Sequence, residues 1–107
     1  MARKADTFKD FVLDQLHDLP GLSIRSMFGG YGLYLRGRFF GIIHKGQFYL
    51  RVSPQTVMDY TSRGGKPFKP GKKQTLRTYY DVPAEIMENS AELVQWALKS
   101  AATARAK

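Results

Sequence analysis

The sequence predicts an α+β domain in which an antiparallel sheet of about five strands, opening with a β-meander, is packed on one face by helices. Three observations carry this expectation. The chain has 107 residues, an ordinary size for one hydrophobic core. Its apolar period changes from helical to alternating after Pro20-Gly21. Glycine-centred turn signals then recur at short intervals, as they do between hairpin strands. The apolar share of 43% and fourteen aromatic side chains (7 Phe, 6 Tyr, 1 Trp) can offset the entropy of ordering the chain.

The elements follow as helix, four strands, helix, strand, helix. Phe8, Phe11, Val12, Gln15, Leu16 and Leu19 recur at i, i+3, i+4 and predict a helix over 7–18, with Thr7 and Asp10 as its capping box. Asp6, Asp10, Asp14 and Asp18 line the other side and read as a solvated face. Segments 24–28, 31–35, 39–44 and 47–52 are short, aromatic and β-branched, and Gly29-Gly30, Arg36-Gly37-Arg38 and Lys45-Gly46 separate them. In the fourth, Phe48, Leu50 and Val52 alternate with Gln47, Tyr49 and Arg51, as in a strand with one buried face. Residues 39–43 are apolar throughout and read as a central strand.

Ser53-Pro54 opens a second helix that runs to Arg63 and ends at Gly64-Gly65. Residues 66–73, Lys-Pro-Phe-Lys-Pro-Gly-Lys-Lys, read as a broken basic loop, and 75–80 as the fifth strand. Pro83 allows a short helical turn as far as Glu88. Asn89-Ser90 cap a final helix whose apolar stripe is Leu93, Val94, Ala97, Leu98 and Ala101, with Trp96 beside it. No repeat or linker interrupts the chain, so 1–107 is expected to be one domain, frayed at 1–6 and 104–107.

Several chemistries find no support. Cysteine is absent, which removes disulfides, thiolate nucleophiles and cysteine-held zinc. His17 and His44 are isolated, no Gly-x-Ser-x-Gly elbow surrounds any serine, and most carboxylates fall on helix faces. Gly29-Gly30-Tyr31-Gly32 is followed by a strand rather than by the helix a phosphate cradle requires. The expectation is a protein without catalytic residues, cofactor or metal. An enzymatic reading would need a sheet-lined pocket around Tyr34, His44 and Tyr49. The first residues lack a signal-peptide pattern and the longest apolar run, 39–43, is too short to cross a bilayer, so a soluble cytoplasmic protein without membrane contact is expected.

Charge is the strongest functional signal. The formal net charge is +8, and between residues 19 and 80 eleven basic side chains face Asp59 alone. Such a field attracts anionic partners in a salt-dependent way, whether nucleic acid or an acidic protein surface. Arg25, Arg51 and Arg77 fall in strands where Tyr34, Tyr49 and Tyr79 can stand near them. The loop with Arg63, Lys66, Lys69, Lys72 and Lys73 can follow a phosphate backbone. The blander alternative is that these arginines lie over tyrosine rings on an ordinary surface.

Arg25-Ser-Met-Phe-Gly-Gly-Tyr-Gly-Leu-Tyr34, Gly37-Arg-Phe-Phe-Gly41, Phe48-Tyr-Leu-Arg51, the Pro67-Phe68 loop and Tyr79-Tyr-Asp-Val-Pro83, in that order, closely resemble the TfoX/Sxy N-terminal domain family over residues 8–103. The resemblance implies an antiparallel sheet backed by helices, with a secretion-chaperone-like outline. Met27, Phe28, Gly29, Gly30 and Gly32 match the family hallmark and are assigned mainly to folding: a tight hairpin or bulge, with Gly32 admitting a neighbouring chain. The resemblance also implies a role in transcription regulation of the bacterial competence kind. The regulators that name the family carry a further C-terminal helical domain, so the likeness is expected to be to the stand-alone members, from which no catalytic residue carries over. Two readings follow. One is a non-enzymatic regulatory module that binds a protein partner, with homodimerisation through a strand edge or helix face. The alternative is direct nucleic-acid binding through the basic strands and the 63–77 loop.

Overall fold

The computed structural model describes residues 4–27 and 29–104. The chain runs α1 (Lys4–Gln15), β1 (Leu22–Met27), β2 (Gly30–Leu35), β3 (Arg38–His44), β4 (Gln47–Arg51), α2 (Val57–Thr61), β5 (Pro67–Gly71), β6 (Gln74–Asp81), α3 (Ala84–Met87) and α4 (Ser90–Thr103). All strands pair antiparallel in one sheet of order β1-β2-β3-β4-β6-β5. The α+β class, the meander and the central place of β3 agree with the sequence. The sheet has six strands rather than about five.

Local chemistry sets the meander. Arg36-Gly37 and Lys45-Gly46 are two-residue turns with φ of 52°, 84°, 50° and 75°, the pattern of type I′ turns, whose twist matches that of the strands they join. The arginine and the lysine accept a left-handed backbone at roughly 1–2 kcal/mol each. Within the β2–β3 ladder, Leu33 pairs with Gly41 and Tyr34 with Phe39, so Phe40 is an extra residue. This bulge turns Phe40 toward the helices while Phe39 and Ile42 stay on the opposite face. It explains how a run of apolar residues in one strand serves both sides.

Helices α1, α3 and α4 cover one face. Val12 from α1 and Leu16 from the turn that follows it, Leu93 and Ala97 from α4, and Leu33, Phe40, Phe48 and Leu50 from the strands are almost completely buried together, and each large side chain among them contributes roughly 1.5–3 kcal/mol by leaving water. Hydrogen bonds fix the helices in register. Ser100 Oγ donates to the Arg51 carbonyl (2.8 Å), Ser90 Oγ to the Gln15 carbonyl (2.7 Å) and Gln15 Nε2 to the Met87 carbonyl (2.8 Å). Asn89 caps α4 as its sequence suggests, its side chain accepting the Glu92 N–H at 3.1 Å.

Other boundaries differ from those expected. α1 begins at Lys4, so Thr7 lies inside the helix rather than at its cap; the alanine and lysine before it are good helix formers. Ser53-Pro54 makes a turn, with Thr56 and Val57 N–H donating to the Ser53 carbonyl, and α2 proper starts only at Val57. Pro67–Gly71 is a strand where a loop was expected. At the sheet edge a proline costs no ladder bond if its missing N–H would have faced solvent. Of the ends expected to fray, residues 1–3 and 105–107 lie outside the described residues, 4–6 are helical, and Ala104 is buried. Among the described residues no helix is long and apolar enough to cross a membrane.

Tyr60 gives this core a pH signature. Its ring packs edge-on to Trp96 at 4.7 Å, and burial pushes its phenol up to about 12 against the opposing hydrogen bond with Ser100. The folded state therefore holds the proton longer than the unfolded chain, whose phenol titrates near 10. Stability is expected to be intact below pH 10 and to fall by about 2–3 kcal/mol between pH 10 and 12. Urea unfolding across this range should show a slope in wild type that flattens in Tyr60→Phe, and an equal slope in both proteins would refute the assignment.

Candidate functional site

The face of the sheet away from the helices carries its own small core. Ile42, Phe68 and Tyr79 are buried there, with Phe39 and Tyr49 packed against them. All five come from strands. Phe68 reaches across from β5 to Tyr49 (4.7 Å between ring centroids) and to His44 (5.3 Å, edge-on). The β5–β6 hairpin therefore curls back over the sheet, although β5 is its outermost strand. β6 pairs with β4 up to Thr78, whose carbonyl accepts the Val52 N–H at 2.7 Å. Beyond that point the hairpin continues on its own, with Lys69 and residues 71–78 exposed.

Beside this core the aromatic and guanidinium groups form a continuous row. The Arg25 guanidinium lies 5.2 Å from the Tyr34 ring, Tyr34 stacks on Phe39 at 5.1 Å, Phe39 meets Tyr79 at 5.4 Å, and Arg51 lies 5.7 Å from Tyr79. The Tyr79 hydroxyl donates to the Phe39 carbonyl at 3.2 Å, tying β6 to the start of β3 across the end of β4. Burial raises the Tyr79 phenol above its ordinary value, and the hydrogen bond and charge of Arg51 oppose the rise. Tyr49 is raised by burial and by the negative charge of Asp81. Arg51 Nε is buried without a hydrogen-bond partner, a state that forfeits roughly 1–3 kcal/mol and is only partly offset by the ring beneath it.

The residues singled out by charge divide into three groups. Arg25, Tyr34, Arg51 and Tyr49 meet on the open face. Lys66, Lys69, Lys72, Lys73 and Arg77 follow the hairpin and are exposed. The Lys66 N–H donates to Asp81 Oδ1 at 2.7 Å. Arg63 goes elsewhere: it lies 5.6 Å from the Trp96 ring and pairs with Glu85 at 3.0 Å on the helix side. Among the described residues the ion pairs are Lys9–Asp10, His17–Asp18 and Arg63–Glu85, so none of these pairs lies on the open face or the hairpin, where Asp81 is the carboxylate nearby.

The hallmark residues surround the β1–β2 turn. Met27 pairs with Gly30, Gly29 has φ of 75°, and Phe28 lies outside the described residues. The close backbone approach falls at Gly30, which faces the Ile43 carbonyl of β3, whereas the Met27 sulfur and the Phe39 ring crowd Gly32. The two histidines are far apart in role. His17 Nδ1 donates to the Asp14 carbonyl at 2.7 Å and Nε2 lies 3.1 Å from Asp18, all exposed. That hydrogen bond, then the Asp18 charge, hold its pKa above the ordinary value. His44 is buried against Phe68. Phe68 lies against both His44 and Tyr49, the residues around which an enzymatic reading would need a pocket.

A second surface lies on the helix side. A cleft of about 510 Å³ opens between the α1–β1 connection, the β2–β3 turn and the C-terminal half of α4. Leu19, Leu35, Leu98 and Ala101 form its apolar floor and Arg36 and Arg38 stand at its mouth. Leu98, which the sequence places on the buried stripe of α4, is 41% exposed. Sequence reasoning missed this cleft because its walls come from three separated segments. It also missed Phe39 and Phe68, for which the signals were an aromatic in an all-apolar run and a lone aromatic in a basic one.

The TfoX N-terminal domain model matches residues 14–104. The DNA transformation protein TfoX1 of Aliivibrio fischeri (strain ATCC 700601 / ES114) is 33% identical over 96 residues, which is 88% of this chain and 44% of that protein. The chain thus spans less than half the length of the curated relative it matches. The family match takes in every strand, both elements that cover the sheet from the C-terminal side and the hallmark turn, and the chain belongs to the TfoX N-terminal domain family.

Proposed function

We propose that this domain is a non-enzymatic regulatory module that acts by binding a protein partner, in the manner suggested by a relative named as a DNA transformation protein. The observation that carries the reading is the α4 cleft, where a half-exposed Leu98 and an apolar floor lie beneath Arg36 and Arg38, neither of which has an acidic partner among the described residues. An apolar floor with cations at its mouth suits a segment that inserts a large apolar side chain and places a carboxylate beside it. The partner is accordingly a protein with such an acidic, apolar segment.

Affinity capture with the full chain tests this. A protein recovered in stoichiometric amount by wild type, and lost in Leu98→Glu and in the Arg36→Ala/Arg38→Ala pair, is the expected result. These side chains are exposed at the cleft rather than in the core. Recovery of nothing above a bait-free control, or of a partner indifferent to all three changes, counts against the proposal.

A further inference from the structure

We infer that the open face of the sheet is a second binding site, on the side of the sheet away from the α4 cleft, and that its ligand is single-stranded nucleic acid. The row Arg25, Tyr34, Phe39, Tyr79, Arg51 sets three aromatic rings between two guanidinium groups, at steps of 5.1 to 5.7 Å. Flat π surfaces at such intervals suit unpaired bases, which stack on rings and on arginine planes alike. Arg25 is exposed and Tyr34 and Phe39 are half-buried, so the Arg25 end of the row is the accessible one. Bases held inside a duplex offer no free face to rings set this far into a sheet.

The hairpin supplies the other half of the chemistry. Lys66 just before β5, and Lys69, Lys72, Lys73 and Arg77 along β5, its turn and β6, are exposed, and Phe68 anchors that hairpin against the same face through Tyr49 and His44. Cations on a projecting arm beside a stacking row match the division of a nucleotide into phosphate and base. An acidic protein surface would satisfy the lysines but would leave the ring faces without a counterpart. The excess of eleven basic side chains over one acid between residues 19 and 80 supplies the attracting field.

The test is fluorescence anisotropy of the full chain with a short labelled oligothymidylate, titrated at several salt concentrations. Binding is expected, with a slope of log affinity against log salt of about −3, as four or five phosphate contacts would give. Changing Lys66, Lys69, Lys72 and Lys73 together to Glu should abolish it. Tyr34→Ala should weaken it roughly tenfold, the effect of losing one stacked base. Arg25→Gln, at an exposed position that cannot disturb the core, should weaken it in the same direction and serves if Tyr34→Ala does not fold. The inference is overturned by absence of binding at low salt, by equal affinity for the matching duplex, or by affinity for heparin no weaker than for the oligonucleotide. It is also overturned if Arg25→Gln and a folded Tyr34→Ala both bind as wild type does.

Discussion

Replacing Phe68 by alanine is expected to remove about 3–5 kcal/mol of folding stability, a third or more of what a domain this size commonly has. Phe68 is fully buried, and it is the one residue of β5 whose side chain is. Its neighbours on the open face, Ile42 and Tyr79, form a core separate from the one beneath the helices, so no helix closes over the cavity that truncation leaves. β5 also pairs with β6 through two register shifts, which leaves few regular ladder bonds to hold it once the ring is gone. Urea unfolding should show the loss. Phe68→Leu, which keeps most of the volume, should cost appreciably less, and amide exchange in Phe68→Ala should rise first along β5 and residues 74–77. A stability within about 1 kcal/mol of wild type would mean that the hairpin is held by something other than this side chain.

That expectation rests on a feature the sequence hides. Within 66–73 two prolines, a glycine and four lysines satisfy every criterion for a loop, and only the isolated Phe68 argues otherwise. A proline counts against a strand because of the ladder bond it cannot make, but at a sheet edge half of those bonds face water anyway. The strand order that makes β5 an edge is a property of the whole chain, so no local window contains it. By contrast, the meander was legible because its signals are local: alternation within 47–52, and Arg36-Gly37 and Lys45-Gly46 exactly two residues between partners would-be paired. The bulge at Phe40 was not legible, since an extra residue exists only relative to the strand opposite.

The candidate site divides along the same line. Sequence placed Arg25 and Arg51 near tyrosines, and they lie near Tyr34 and Tyr79. It could not show that Phe39 joins those two pairs into one row, because the junction depends on β6 reaching past the end of β4 to the Phe39 carbonyl. Arg63 was grouped with the hairpin lysines because it precedes them by a few residues. The turn at Gly64, with φ of 83°, separates them and leaves Arg63 on the helix side against Trp96. Leu98 fits an apolar period of α4, but the buried stripe runs through Leu93, Trp96, Ala97, Ser100, Ala101 and Ala104 and leaves Leu98 beside it, and periodicity does not report what an element packs against.

Gly30→Ala should be the most damaging substitution in the hallmark turn, with a loss of about 3 kcal/mol or more. A Cβ added there would collide with the Ile43 carbonyl oxygen and lie 3.2 Å from the His44 Cα. Both are backbone atoms of the central strand β3, so relief requires moving that strand away from β2. Gly29 differs: it has φ of 75° and open space around it, so Gly29→Ala carries only the left-handed backbone cost of roughly 1–2 kcal/mol. Gly71→Ala, with an ordinary φ and nothing nearby, should be close to neutral and controls for the effect of adding a methyl group. Thermal and urea unfolding of the three variants should therefore rank Gly30, then Gly29, then Gly71. If Gly30→Ala proved no worse than Gly29→Ala, the adjacent glycines would owe their place to the turn alone, and the packing of β2 against β3 would not be what requires the second of them.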